Sequence, residues 1–225
     1  MTSKETCTES VSPDTRPGST LSVDQRRLMS YETLAAAFSY PDDGFSVNFP
    51  EFADQAESAK FEYDRLFRAG AVWLYGAEYL ATNEFQRAAL MSDIMGFYMA
   101  FGLEPDKERP DSVVCELEFM HYLIFKRQRL RMNTADDIAG EKLNICRDAE
   151  RKFFAEHMEP VATHLANKVM AASGHAFYTQ AAEELLVFLE SERKHFGLAN
   201  GANRQRRRSN ATGGCPRKGK RGNRR

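Results

Sequence analysis

Apolar residues recur along most of the chain at the three- and four-residue spacing that stacks side chains on one face of an α-helix. Leu28, Tyr31, Leu34, Ala35 and Phe38 form the first such stripe, and Pro41-Asp42-Asp43-Gly44 ends it. The stretch Phe49–Phe67 predicts a second helix with Phe52, Ala56, Ala59, Tyr63, Leu66 and Phe67 inward, followed by a loop from Gly70 to Gly76. Asn83–Phe101 predicts a third, with Leu90, Ile94, Phe97, Tyr98 and Phe101 inward and Gly102 as its stop. A fourth starts near Asp111/Ser112, just after Pro110, and runs to Met132. Ala139–His157, Pro160–Ala172 and Phe177–Phe196 complete the set, with Gly197 as the last C-cap. No segment sustains the period-two alternation of a strand, and no fixed-period repeat marks a solenoid. The pattern predicts an all-α, single-domain helical bundle.

The fourth helix is apolar on two sides. At 100° per residue, Met120, Val113, Ile124, Leu117, His121, Val114 and Phe125 share an arc of about 140°, and Tyr122, Cys115, Phe119, Leu130 and Leu123 share an opposite arc of about 100°. Glu118 and Glu116 fall at the two seams. A carboxylate there needs solvent, a partner or a proton. Each reaches solvent or a donor on one reading; on the other, one or both orient a loop or line a ligand groove. His121, mid-face among apolar residues, reads as a hydrogen-bonded core histidine, and Cys115 as a small buried apolar residue.

A chain of 225 residues with 42% hydrophobic and 28% charged content suits one globular domain with a sizeable core. No apolar run reaches the roughly 18–20 residues of a membrane span. The polar N-terminus shows no export signal, and Cys7, Cys115, Cys146 and Cys215 are too scattered for a zinc ribbon or disulfide framework. The expectation is a cytoplasmic protein with free thiols. Residues 1–21 and 199–225 read as disordered flanks of a helical domain at 22–198. The net charge of −1 conceals an asymmetry: ten of the 31 Lys and Arg lie in 201–225, leaving 21 against 32 acidic residues before it. The body is acidic and the tail basic.

Catalytic signatures are missing: no G-x-S-x-G, P-loop, GxGxxG or H-E-x-x-H occurs. Two Glu-x-x-His pairs, Glu118/His121 and Glu192/His195, have the spacing of di-iron carboxylate bundles. That class also needs a lone inward Glu on each of two further helices, and Glu192 and His195 sit in a charged helix end expected to be solvated. The reading is therefore no metal, no cofactor and no enzyme.

Three blocks carry a family resemblance: Glu62-Tyr63-Asp64-Arg65-Leu66-Phe67; Met95 to Glu104 with its Phe97-Tyr98…Phe101-Gly102-Leu103; and Glu108-Arg109-Pro110-Asp111 running into Glu116-Leu117-Glu118-Phe119-Met120. In order and spacing they resemble the TorD/DmsD/NarJ family of redox-enzyme maturation chaperones. His121-Tyr122-Leu123 and Leu74-Tyr75-Gly76-Ala77-Glu78-Tyr79 are most similar to the branch serving type II enzymes of the dimethyl sulfoxide reductase family. The resemblance spans about residues 25–196. It implies an all-helical, non-catalytic chaperone. Such a protein binds the leader peptide and apo form of a molybdoenzyme catalytic subunit, assists molybdenum cofactor insertion and delays twin-arginine export. It implies a monomer or domain-swapped dimer, and a client acting on nitrate, chlorate, perchlorate, selenate, dimethyl sulfide or a hydrocarbon. Carried over as client-binding positions are Leu74, Tyr75, Glu78, Tyr79, Pro110, Asp111, Glu116, Glu118 and His121, with Trp73 beside them as a candidate apolar wall. The chain departs from many relatives at Ser112, where they carry His, and in a 70–76 loop without prolines. Ser112 also reads as the helix N-cap, with Asp111 competing.

An acidic helical body suits a basic, apolar leader. The alternative is a helical nucleic-acid-binding protein acting through Gln205–Arg208 and the rest of the basic tail. That tail lacks aromatics, so nucleic acid is the lesser expectation.

Overall fold

The computed structural model describes residues 21–132 and 137–198, without the side chains of 137–139. Apart from Leu21, the expected disordered flanks, with Cys7, Cys215 and the basic tail, lie outside the described residues. Among those residues the fold is all-α. The only pairing of extended backbone is an isolated antiparallel bridge between Tyr75 and Ser112.

Helix α1 (Val23–Phe38) begins at a capping box: Gln25 N–H donates to Ser22 Oγ at 3.2 Å and Ser22 N–H to Gln25 Oε1 at 2.8 Å. The expected second helix is subdivided. A single turn, α2 (Phe45–Asn48), leads into a 3₁₀ stretch Pro50–Gln55, then α3 (Ala56–Tyr63), then a π turn Asp64–Arg68. Pro50 starts the 3₁₀ stretch, where its missing N–H costs nothing. The expected inward positions nonetheless hold: Phe52, Ala59, Tyr63, Leu66 and Phe67 are buried. A short α4 (Ala77–Leu80) interrupts the path to α5 (Glu84–Ala100), which Asn83 caps by accepting from Gln86 N–H. Only Ile94 and Tyr98 of α5 are buried, so this helix lies on the rim of the bundle.

Helix α6 (Val113–Met132) is the axle, packed against α1 on one side and α7 (Asp137–Phe153) on the other. The two helices expected over 139–172 are one continuous rod: α7 passes through a π turn, Phe154–Met158, into α8 (Glu159–Ala172). Pro160 is accommodated at the start of α8 by that change of winding. Helix α9 (Ala176–His195) folds back on α8 and reaches α1. Gly102 and Gly197 end α5 and α9 in left-handed conformations, as expected.

Three features of the core differ from the helical-wheel reading. Phe125 is exposed, while Arg127, two residues on, is buried. His121 is half-exposed rather than a core histidine. Glu192, expected in a solvated helix end, is wholly buried: Arg27 Nε and Nη2 donate to its two oxygens at 2.6 and 2.7 Å, and Tyr31 Oη donates at 2.6 Å. Arg127 Nε donates to Glu150 Oε1 at 2.6 Å, its Nη atoms fork onto Asp24, and Arg27 touches Glu150 at 3.3 Å. With Arg131 donating to Asp24 at 2.8 Å, three arginines face three carboxylates across α1, α6, α7 and α9; the charges cancel, which is the condition for burying them.

Candidate functional site

The family-like blocks converge on one face. Tyr75 and Ser112 pair as the isolated bridge, with Val113 N–H donating to Leu74 C=O and Gly76 N–H to Asp111 C=O, both at 2.8 Å. The loop thus docks on the N-terminus of α6. Gly76 fits closely here: a Cβ would stand 2.8 Å from Val161 Cγ2 of α8, so a larger residue would force that buried side chain to shift. Asp111 is fully buried and closes the joint: it accepts from Ala77 N–H at 2.9 Å and from Arg109 Nε and Nη2 at 3.0 and 2.8 Å. Arg109 also donates to Glu78 at 3.2 Å and lies 4.2 Å over the Tyr75 ring. Arg87 binds Glu78 with both Nη atoms and, ahead of Arg109, holds that carboxyl below the usual range. Pro110 C=O accepts from Tyr98 Oη at 2.9 Å, tying α5 to the same joint. Glu78, Pro110 and Asp111 therefore position the loop. Asp111 spends its carboxylate on the loop and Arg109, leaving Ser112 as the residue that leads into α6, its C=O accepting from Glu116 N–H at 3.0 Å.

Beside this joint runs a groove of about 770 Å³. Its floor is aromatic, from Tyr63, Phe67, Tyr75, Tyr98, Phe119 and Tyr122. Its lip carries Glu104, Asp106, Glu108 and Glu118 against a single Arg68, and Arg68 is already paired with Asp64 at 2.9 Å. Leu74, Tyr75 and Glu118 are the expected site residues that line it. Tyr79 Oη accepts from Trp73 N–H and donates to Trp73 C=O, so Tyr79 braces the loop, and the Trp73 side chain is 45% exposed on its flank. Glu118 and Ser39 are shared with a second groove, which His121 lines with Glu32, Asn48 and Phe49. Burial raises the Glu118 carboxyl, with His121 opposing.

Glu116 stands apart. It is fully buried, neither oxygen has a hydrogen-bond partner, and burial, reinforced by Asp111, drives its carboxyl well above the usual range. It lines neither groove.

The groove residues that sequence reasoning did not place in the site include Tyr40, Tyr63, Phe67, Arg68, Tyr98, Phe119, Tyr122 and the Leu103–Glu108 loop. The signal was present: Tyr63, Phe67, Tyr98, Leu103 and Glu104 lie inside the blocks that carry the resemblance. Chemically the groove offers an aromatic, acid-lipped surface and no activated nucleophile. Burial pushes the Cys115 thiol up to about 11, so it is not a thiolate at neutral pH. The two Glu-x-x-His pairs line different grooves, and Glu192 is committed to Arg27 and Tyr31, so they form no di-iron site.

Comparison with known proteins accords with this geometry. A selenate reductase assembly chaperone protein from Thauera selenatis is 28% identical over 178 residues, covering 74% of this chain and 88% of the relative. The family described as nitrate reductase delta subunit matches residues 30–167, the segment from α1 to α8 that builds both the joint and the groove. The chain belongs to that family, the NarJ/TorD-type redox-enzyme maturation chaperones, and is a chaperone rather than an enzyme.

Proposed function

We propose that this protein is a cytoplasmic assembly chaperone for the catalytic subunit of a type II molybdoenzyme, and that the aromatic groove takes the subunit's N-terminal leader. On this reading it holds the apo-subunit while the molybdenum cofactor is inserted, and engaging the leader delays twin-arginine export. The observation that carries the reading is the groove's composition: an aromatic floor under four carboxylates and one committed arginine. Paired arginines followed by an apolar stretch match such a surface, the cations against the lip and the apolar side chains against the floor. The match to a selenate reductase chaperone supports an oxyanion reductase of this class as the client.

The test is titration of the full chain with a synthetic peptide bearing paired arginines and an apolar segment, followed by calorimetry and by Trp73 fluorescence. Binding should weaken with salt, as exposed charge pairs do. It should fall further in Glu104→Lys, Glu108→Lys and Glu118→Lys variants, whose thermal stability stays near that of the parent. Equal affinity for a peptide with both arginines replaced by glutamate would refute the groove's role. Co-purification with a molybdoenzyme subunit, and a cofactor-poor enzyme in a deletion strain, test the wider reading.

A further inference from the structure

On α5, Asp93 faces the π turn between α7 and α8. Asp93, Glu156 and His157 bring one ligand atom each to within 4.8 Å of one another. His157 is 3% exposed and neither ring nitrogen makes an aligned hydrogen bond, although Nε2 lies 3.0 Å from Asp93 Oδ2. A buried imidazole whose Nδ1 has no partner and whose Nε2 meets only a misaligned carboxylate is unusual. Its ring is fixed between Phe97 and Phe153, with centroids 5.5 and 5.2 Å away. Asp93 and Glu156 are exposed at the edge of that ring. A π turn at a functional position is a recurrent arrangement, and this one presents the consecutive residues Glu156 and His157 to the same cleft.

We propose that Asp93, Glu156 and His157 bind a divalent first-row transition metal, with zinc the best fit. Zinc takes imidazole nitrogen and carboxylate oxygen at about 2.0–2.2 Å, so its donors stand roughly 3–3.5 Å apart, the range the His157–Asp93 pair already occupies. The imidazole selects against magnesium and calcium, which prefer all-oxygen sets. Two carboxylates neutralise the ion. Lys152 is a competing cation, its ammonium 5.7 Å from the Phe97 ring that packs on His157. The metal would staple α5, whose only buried side chains are Ile94 and Tyr98, to the rod formed by α7 and α8. Because Tyr98 lies in the groove floor and holds Pro110, the staple would also steady one groove wall.

The experiment uses the full chain, free of any tag, stripped with chelator and titrated with zinc chloride by calorimetry, with cobalt(II) absorption as a second readout. One equivalent of zinc should bind and raise the melting temperature, while magnesium should do neither. Asp93→Asn and Glu156→Gln, both at exposed positions, should weaken binding by about tenfold or more, since even a residue behind a ligand is worth that much. His157→Gln should abolish it, with circular dichroism reporting that the fold persists. No zinc uptake overturns the proposal, as does uptake that the Asp93 and Glu156 variants leave unchanged, which would place the ion on the other histidines or on the thiols.

Discussion

Replacing Asp111 with alanine tests whether this residue is the bolt of the loop joint. The side chain accepts three hydrogen bonds: one from Ala77 N–H and two from the Arg109 fork. Ala77 is fully buried, so its N–H would be stranded at a cost of about 1–3 kcal/mol. Breaking a fully buried ion pair by removing one partner costs about 3–5 kcal/mol. Arg109, however, is 35% exposed and keeps Glu78, so solvent screening cuts its share to about 1–2 kcal/mol. The two contributions sum to roughly 3 kcal/mol, which for a domain of this size lowers the melting temperature by about 6–12 °C. Urea titration followed by circular dichroism measures the global loss. Trp73, the single tryptophan, reports on the loop itself, because its backbone is braced by Tyr79. An Arg109→Ala/Asp111→Ala double-mutant cycle should show coupling of about 1 kcal/mol or more. A midpoint shift equivalent to less than about 0.5 kcal/mol, the range of an ordinary surface substitution, would refute the view that Asp111 holds the loop.

Glu192→Ala should destabilise by about 3–5 kcal/mol in urea titrations, because it leaves the Arg27 guanidinium buried without its main partner; a loss near zero would show that this network is not closed to water. Glu116→Gln should act in the opposite sense. The folded state holds a proton on Glu116 that the unfolded chain releases above about pH 4.5, so stability falls as pH rises beyond that value. The variant should melt higher than the parent at pH 8, with the gap closing below pH 4.5, and a lower melting temperature at pH 8 would contradict the assignment. The Asp24 carboxyl is held down to about 2, chiefly by its hydrogen bonds from Arg127, against its ordinary value of 3.8. Its contribution is therefore present above pH 3.8 and lost as pH falls toward 2. Asp24→Asn should lower stability at pH 7 and flatten the acid limb between pH 4 and 2, read from melting curves across that range.

The sequence by itself determined the fold class, most of the helix boundaries and the segments that matter, because each rests on local chemistry. Helical spacing of apolar residues, glycine stops after α5 and α9, and the run after Pro110 are all readable within a few turns of chain. So were Leu74–Tyr79 and Pro110-Asp111 as motifs, since each is a contiguous run; that the two join is a tertiary fact. What each residue does depended on contacts across the chain. Asp111 lies 34 residues from the Ala77 N–H it satisfies, and Glu192 lies 165 from Arg27. No periodicity carries such a pairing, which is why Glu192 read as solvated and is buried, and why Glu116 and Glu118, both at seams of one helix, diverge into an orphaned interior carboxyl and a groove-lip residue. His121 followed the same logic: its arc is apolar and Met120, Leu123 and Ile124 are fully buried, yet His121 itself opens on the second groove. The groove is decided in the same way, since its floor gathers Tyr63, Tyr98 and Tyr122 from three helices. So is the Asp93–Glu156–His157 cluster, which exists only because α5 lies across a π turn that local sequence does not announce.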